Sequence, residues 1–142
     1  MIMWLIYALL SAIFAAGVAI VGKLGLKNID STLATTIRAF IMAVFLLIVS
    51  LLLKKFNNFS FNNFSSKDWW LIAFSGIFGA LSWLFYFFAL KGGPATAVVA
   101  VDRLSMAFVF ILALIFLGET FTIKGLIGVS LIVAGAILFS LK

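Results

Sequence analysis

The sequence predicts an all-α polytopic membrane protein, a bundle of five transmembrane helices, and two features of its composition indicate this class. Of its 142 residues, 66% are hydrophobic and 10% are charged, and the mean hydropathy is +1.35. A soluble domain of this size needs far more polar surface than this chain can supply. The hydrophobic residues also fall in long blocks, whereas a membrane β-barrel has alternating segments of about ten residues.

Five apolar blocks have about 20 residues each, the length that crosses a hydrocarbon core of roughly 30 Å. They are predicted to span residues 3–22, 31–53, 68–90, 95–117 and 123–141. We expect them to form a single transmembrane domain over residues 1–142. The first block is expected to be a spanning helix, because it lacks a basic leading segment and exceeds the 7–15 residues of a signal-peptide apolar core.

Polar residues and glycines separate the blocks. Before the second block, Asp30 or Ser31 is expected to be the N-cap residue of the helix. Before the third, Ser65 and Asp68 have the S-x-x-D spacing of a capping box. The Gly-Gly-Pro sequence at 92–94 predicts the end of the third helix and the first turn of the fourth. The connections are therefore expected to be short, with no re-entrant segment.

Cysteine and histidine are both missing from the sequence. Their absence excludes disulfides, thiol nucleophiles and the usual zinc sites, and the sequence offers no catalytic constellation. We therefore expect neither an enzyme nor a cofactor or metal site. The lysines behind the net charge of +6 cluster between the apolar blocks. This pattern is typical of membrane anchoring, so the lipid bilayer is the expected partner and nucleic acid is not.

The lysines divide evenly between the two membrane surfaces that five spans define. Side A contains the N-terminus and the loop after the second span, and it carries Lys54, Lys55, Lys67 and Lys124, whereas side B carries Lys23, Lys27, Lys91 and Lys142. Orientation normally follows an excess of Lys and Arg on the cytoplasmic side. Because that signal nearly cancels, two alternatives stay open. Either the chain inserts both ways up and pairs with an inverted copy, or one orientation dominates for another reason.

Charged residues lie well inside two of the predicted spans. Arg38 lies seven residues beyond Ser31, and Asp102 lies seven residues beyond Ala95. Both helices begin on side B, so at about 1.5 Å per residue both side chains lie about 10 Å below that surface. A charge at a bilayer centre costs roughly 2.5–3.5 kcal/mol on insertion scales. An Arg38–Asp102 pair would offset much of that cost.

Arg103 directly follows Asp102 and leaves one positive charge uncompensated at this depth. Two interpretations of this residue stay open. Arginine offers a bidentate fork for carboxylate or phosphate, so Arg103 could receive an anionic group of a solute. Alternatively, its long side chain reaches the surface on side B.

Trp83 and Tyr86 lie deep in the third span, about one helical turn apart, on a face that also contains Gly79 and Ser82. At this depth they cannot have the interfacial role that Trp and Tyr usually have in membrane proteins. The face either lines a cavity that binds an apolar or aromatic solute, or packs against another helix through its small residues.

Four stretches of the chain resemble the EamA-type transporters of the drug/metabolite transporter superfamily. They are KLGLKNIDSTLATTIRAF, LSWLFYFFALKGGPA, VDRLSMAFVFILALIFLGE and IGVSLIVAGAIL. The resemblance covers nearly the whole chain, which is similar to the single five-span repeat of the small bacterial and archaeal branch. Larger members carry ten spans as two inverted repeats.

The resemblance implies a multi-pass transporter of the cytoplasmic (inner) membrane that moves a small organic metabolite or drug by alternating access. One repeat per chain implies an antiparallel homodimer, with the solute near the membrane midplane. In the leading hypothesis, Asp102 is the proton-sensitive or charge-balancing group and Arg38 is its partner. The alternatives are a lipid-linked flippase or its accessory subunit, and a membrane scaffold that transports nothing.

Overall fold

The computed structural model describes residues 3–57, 59–60, 64–120 and 122–141. Within these ranges every regular element is helical and no strand occurs, which confirms the all-α prediction. Lys142, counted above on side B, lies outside the described residues. The helices are α1 (Met3–Gly25), α2 (Ser31–Leu52), α3 (Ser66–Gly92), α4 (Ala95–Asp102), α5 (Ser105–Leu112) and α6 (Ile123–Ser140), with a π-helical segment at Ala113–Leu117.

Five helical segments are long and apolar enough to cross a membrane. Four of them are α1, α2, α3 and α6, and the other, Ala95–Leu117, combines α4, α5 and the π-helical segment. At most 6% of the most apolar stretch of each segment is buried inside the chain. Apolar surface of this extent is unfavourable in water, so lipid or further protein must cover it. The protein is a multi-pass membrane protein.

Contacts within the chain define two compact units. Unit 1 comprises Met1–Lys23 and Gly92–Lys142, and therefore holds most of α1 together with α4, α5 and α6. Unit 2 comprises Leu24–Lys91 and holds α2 and nearly all of α3.

In unit 2, Asp30 is the N-cap residue of α2, which decides between the two residues predicted for this position. Its Oδ1 accepts hydrogen bonds from the backbone N–H groups of Thr32, at 2.9 Å, and Leu33, at 3.0 Å. The bond from Leu33 contributes most to holding the pKa of Asp30 below its usual value, and the nearby Lys91 ammonium acts in the same direction. Lys91 Nζ also donates to the carbonyl of Ile29, at 3.0 Å, and so ties the end of α3 to the residues before α2.

The predicted capping box of α3 is present. The backbone N–H of Ser65 donates to Oδ2 of Asp68 at 2.9 Å, and the backbone N–H of Asp68 donates to Oγ of Ser65 at 3.2 Å. The Ser65 hydroxyl donates to the same Oδ2 at 2.7 Å. The first turn of α3 is therefore held by local chemistry that the sequence specifies.

In unit 1, the residue before α4 is Pro94, with φ −66° and ψ 136°. It is therefore the N-cap residue and does not lie in the first turn of α4, where the sequence predicts it. Lys23 Nζ donates to the carbonyl of Gly93 at 2.8 Å. This bond ties the end of α1 to the start of α4.

The fourth span is interrupted, whereas the apolar pattern predicts one continuous helix. α4 ends at Asp102 and α5 begins at Ser105. Between them, the N–H groups of Leu104, Met106 and Ala107 each donate to the carbonyl three residues earlier, at 2.9–3.0 Å. This is the tighter 3₁₀ pattern, which inside a helix often marks a functional hinge. No glycine or proline lies in this stretch, so the usual breaker signals are missing.

The same span ends in the π-helical segment, which Gly118 terminates. Gly118 has φ +65°, a left-handed conformation that glycine adopts without a steric cost. The N–H of Glu119 then donates to the carbonyl of Ala113 at 3.3 Å. α6 begins after Thr122, whose Oγ1 accepts from the N–H of Gly125 at 3.0 Å, and it packs against α4 and α5.

Candidate solute-binding site

Arg38 on α2 contacts the aromatic face of Trp83 on α3, within unit 2. The guanidinium carbon of Arg38 lies 3.6 Å from the centroid of a Trp83 ring and 5.1 Å from that of Phe87. A cation held over an aromatic face gains about 0.5–1 kcal/mol at exposed sites and about 2 kcal/mol or more when desolvated. Arg38 is half-buried, so Trp83 stabilises a charge within a membrane-spanning part of the chain.

Trp83 belongs to a cluster of three aromatic rings on one side of α3. Its ring is 5.6 Å from that of Tyr86, in an edge-to-face arrangement, and 6.0 Å from that of Phe87. The rings of Tyr86 and Phe87 are 5.9 Å apart. Phe87 is buried, with 3% of its surface exposed, whereas Trp83 and Tyr86 are half-buried. The cluster therefore fixes the ring that holds Arg38.

A cavity of about 620 Å³ lies between α2 and α3 beside this contact. Its walls are mostly aliphatic and glycine surface, with Trp83 at one side. Tyr86 and Ser82, which the sequence places on the same face as Trp83, are not part of the walls. The polar residues in the walls are Thr32, Thr35, Thr36 and Arg38.

Two of the three threonine hydroxyls among the described residues of these walls, those of Thr35 and Thr36, already use their hydrogens. Thr35 Oγ1 donates to the carbonyl of Ser31 at 2.7 Å, and Thr36 Oγ1 donates to the carbonyl of Thr32 at 2.9 Å. A hydroxyl bonded in this way to the preceding turn can still accept a hydrogen bond, but it has no second hydrogen to donate.

Arg38 has no acceptor within the described residues of unit 2. Its contacts there are those with the aromatic rings, and it donates no hydrogen bond and forms no ion pair in that unit. A guanidinium carries five N–H donors and is always charged. The fork of Arg38 is thus held in place by Trp83 while its donors stay available.

Asp102 and Arg103 lie in unit 1, at the interruption of the fourth span. Asp102 is the last residue of α4 and Arg103 follows it, and both side chains are exposed. The Arg38–Asp102 pair that equal depth predicts joins residues of different units, and it stays a prediction. Of the five predicted site residues, Arg38, Trp83 and Tyr86 are brought together in unit 2.

The sequence gives Arg38 and Trp83 similar depths, which makes their contact possible without predicting it. Trp83 lies nine residues before the end of α3 at Gly92, about 13 Å at the rise of an α-helix, close to the depth of about 10 Å derived for Arg38. Thr35 and Arg38 are also three residues apart, which places both on one face of α2. The role of Phe87 gives no such signal, because many phenylalanines surround it.

Unit 1 has a smaller cavity of about 350 Å³, lined by residues of α1 and α4 and by Phe139 of α6. Its walls contain Ala16, Ala19, Thr96 and Val99, and no charged side chain. Among the described residues of these walls Thr96 alone has a polar side chain, so the cavity offers no charge to orient a solute.

A charged side chain that lines a cavity at membrane depth indicates a functional site, here in a multi-pass membrane protein of five apolar spans. The sequence profile of the EamA-like transporter family matches residues 2–141, and the chain belongs to this family. The resemblance seen in the sequence is confirmed.

Two relatives extend this result. The chain is 36% identical over 137 residues to a Sinorhizobium sp. protein named "Uncharacterized transporter in cobO 3'region", covering 96% of each chain. Over 65 residues it is 43% identical to a Pseudomonas syringae pv. syringae (strain B728a) protein named "Probable 4-amino-4-deoxy-L-arabinose-phosphoundecaprenol flippase subunit ArnF", covering 44% of this chain and 45% of that one. No solved structure matches the chain.

Proposed function

We propose that the protein is a secondary transporter that moves a small organic solute across the cytoplasmic membrane by alternating access, as an antiparallel homodimer. The observation that carries the proposal is the cavity beside Arg38 and Trp83, in a member of a transporter family. Its volume of about 620 Å³ suits a small organic molecule, since such sites have roughly 300–1,000 Å³. Few polar groups among apolar walls are also typical of such sites.

The interruption of the fourth span supports a role for the charges beside it. Transporters often bind solutes and ions at discontinuous helices, where backbone groups leave the regular helical pattern. Asp102 ends α4 at this point. In the proposed site, Asp102 is the proton-sensitive or charge-balancing group and Arg103 is a second cation. Arg38 is the partner of Asp102 in the state without solute.

Two observations support the antiparallel homodimer. The chain has five spans, so two inverted copies would form the ten-helix arrangement of inverted repeats. Few residues of the spans are buried within the chain, so apolar area remains for a second copy to bury. The even division of lysines between the two sides is compatible with insertion in both orientations.

A flippase subunit is the second candidate function. It is favoured by the 43% identity over 65 residues to the relative named as a flippase subunit for a phosphoundecaprenol-linked amino sugar. This candidate predicts that the protein binds a lipid-linked sugar and depends on a partner chain. The small-solute carrier requires neither.

The test is a screen of purified protein for solutes that raise its melting temperature, with amino acids, amines and lipid-linked sugars as separate sets. A solute that raises the melting temperature is then tested on Trp83→Ala. We expect its binding to weaken by about 1–2 kcal/mol, as for a lost aromatic contact. Phe78→Ala is the matched control, because Phe78 lies on the same helix, is 69% exposed and does not line the cavity.

Two results would contradict the proposal. One is unchanged affinity of Trp83→Ala together with a loss of roughly 3–5 kcal/mol of stability, which indicates that the ring only packs helices. The other is stabilisation by lipid-linked sugars alone, which would favour the flippase subunit.

A further inference from the structure

We propose that Arg38 binds an anionic group of the solute, a carboxylate or a phosphate, while the apolar part of the solute lies in the α2–α3 cavity. This inference rests on the proposed function, because it assigns the chemical class of ligand to the same site. It assigns the anion to Arg38, whereas one of the two interpretations left open by the sequence assigns it to Arg103.

The geometry of Arg38 is that of a prepared anion-binding group. Trp83 covers a face of its guanidinium at 3.6 Å, and the N–H donors of a guanidinium point outward in its plane, away from that face. Such a fork matches the two oxygens of a carboxylate or phosphate. Since the stacked ring restrains the side chain, less conformational freedom is lost when an anion binds.

No carboxylate of unit 2 can neutralise this charge. The unit contains two acidic residues, Asp30 and Asp68. Asp30 precedes Arg38 by eight residues, or about 12 Å along a helix, and Asp68 precedes Trp83 by fifteen, or about 22 Å. Each is already engaged as a helix cap, Asp30 with the N–H groups of α2 and Asp68 with Ser65. Within this unit, the positive charge at the cavity is therefore uncompensated.

The other residues of the cavity wall also favour an anionic ligand. The hydroxyls of Thr35 and Thr36 have given their hydrogens to backbone carbonyls, and the Thr32 side chain is hydrogen-bonded to Asp30. Arg38 is the charged side chain of the described wall that is placed to donate to an anion. A cationic solute would meet a like charge that no carboxylate of the unit offsets, and such a contact is unfavourable. Ala39 and Met42 continue the wall along α2 and offer apolar surface. The site thus fits an organic anion with an apolar body.

The experiment compares four probes on the full chain in nanodiscs of phosphatidylcholine, by isothermal titration calorimetry. Three have nearly the same shape and differ in charge: 3-phenylpropionate, 3-phenylpropanol and 3-phenylpropylamine. The fourth, phenyl phosphate, tests the other anion. We expect both anions to bind at least tenfold more tightly than the alcohol, with the amine weakest. This comparison uses the unaltered protein and so depends on no variant folding.

Three variants then test whether Arg38 causes the preference. Arg38→Gln should bind the anion and the alcohol equally, and Arg38→Lys should keep part of the preference, because it keeps the charge without the fork. Lys27→Gln is the matched control, because it removes one exposed positive charge from the same unit outside the cavity. It should bind the probes as the unaltered chain does.

A second membrane separates the two sources of an anionic group. In nanodiscs of phosphatidylglycerol, a lipid headgroup that occupies Arg38 would weaken binding of 3-phenylpropionate at least tenfold in the unaltered chain and not in Arg38→Gln. That outcome supports anion binding at Arg38 with lipid as the source. Unchanged affinity supports a soluble anion.

Equal binding of the alcohol and the anion would overturn the inference, and so would a preference that survives in Arg38→Gln or failure of both anions to bind. If the alcohol binds without anion preference and Trp83→Ala weakens it, only the inference is wrong and the cavity remains a solute site. If no probe binds and no solute raises the melting temperature, the proposed function itself fails.

Discussion

Asp30 stabilises the first turn of α2 through bonds that are stronger when its carboxyl group is ionised. Its carboxylate accepts from two backbone N–H groups, and its pKa is lowered in the folded chain. A group whose folded pKa is depressed stabilises the fold above its unfolded pKa, about 3.9 for aspartate, and this stabilisation is lost as the pH falls through the lower folded value.

We therefore expect the melting temperature of the unaltered chain in detergent to fall, relative to that of Asp30→Asn, as the pH is lowered from 6 to 3. Asparagine keeps the capping oxygen without the charge, so the difference isolates the ionised carboxylate. The other acidic residues titrate in both proteins and cancel. A difference that stays constant over this range would show that the charge of Asp30 adds nothing to its cap.

Among the individual residues, the helix caps could be predicted from the sequence. The contact between Arg38 and Trp83 could not. The bonds of Asp30 and of Ser65 join atoms within three residues, so local sequence determines them. The stacking of Arg38 on Trp83 depends on the rotation of two helices about their axes. A sequence gives depth along a helix more directly than that rotation.

At the scale of the elements, span lengths follow from the apolar blocks, but the interruption after Asp102 does not. The residues from Val101 to Ala107 have no glycine or proline among them, so the sequence gives no signal for their 3₁₀ turns. The π-helical segment Ala113–Leu117 has no breaker inside it either. Two departures from α-helical geometry in one span make it the strongest candidate for movement among the described helices.

Packing of α6 beside this span requires glycine at position 125. A Cβ added there would lie 2.9 Å from Thr122 Oγ1 and 3.0 Å from Cε2 of Phe110 on α5. Phe110 or the cap must therefore shift, and we expect Gly125→Ala to cost about 1–3 kcal/mol of stability, as overpacking usually does. Gly128→Ala on the same helix is the control, since nothing lies within 4 Å of its added Cβ. Equal melting temperatures of the two variants in detergent would contradict this account.

At the scale of the whole molecule, the predicted Arg38–Asp102 pair would join the two units. Its basis is the shared depth of about 10 Å below side B. Asp102→Asn should lower stability by leaving Arg38 uncompensated, and adding Arg38→Gln should restore part of it. In a double-mutant cycle, contacting charges give coupling energies of about 0.5–3 kcal/mol. Additive losses of unfolding free energy would exclude the pair.

An antiparallel dimer requires that the chain insert into the membrane in both orientations. Labelling of introduced cysteines can test this. Because the sequence contains no cysteine, a single introduced cysteine can be labelled without background. Asn28 lies between α1 and α2 and Asn57 between α2 and α3, and both are exposed. If the loops alternate across the membrane, these two asparagines lie on opposite sides in any one molecule.

In intact cells, we expect an impermeant thiol reagent to label about half of the Asn28→Cys molecules and about half of the Asn57→Cys molecules, because balanced lysines favour neither orientation.

Adding one lysine beside Asn28 should bias insertion, so that labelling rises at one position and falls at the other. An antiparallel pair needs both orientations, so this biased chain should also transport less, and supplying a chain biased the opposite way should restore transport. Labelling of one position only in the unbiased chain would establish a single orientation, and the two copies of a dimer would then have to be parallel.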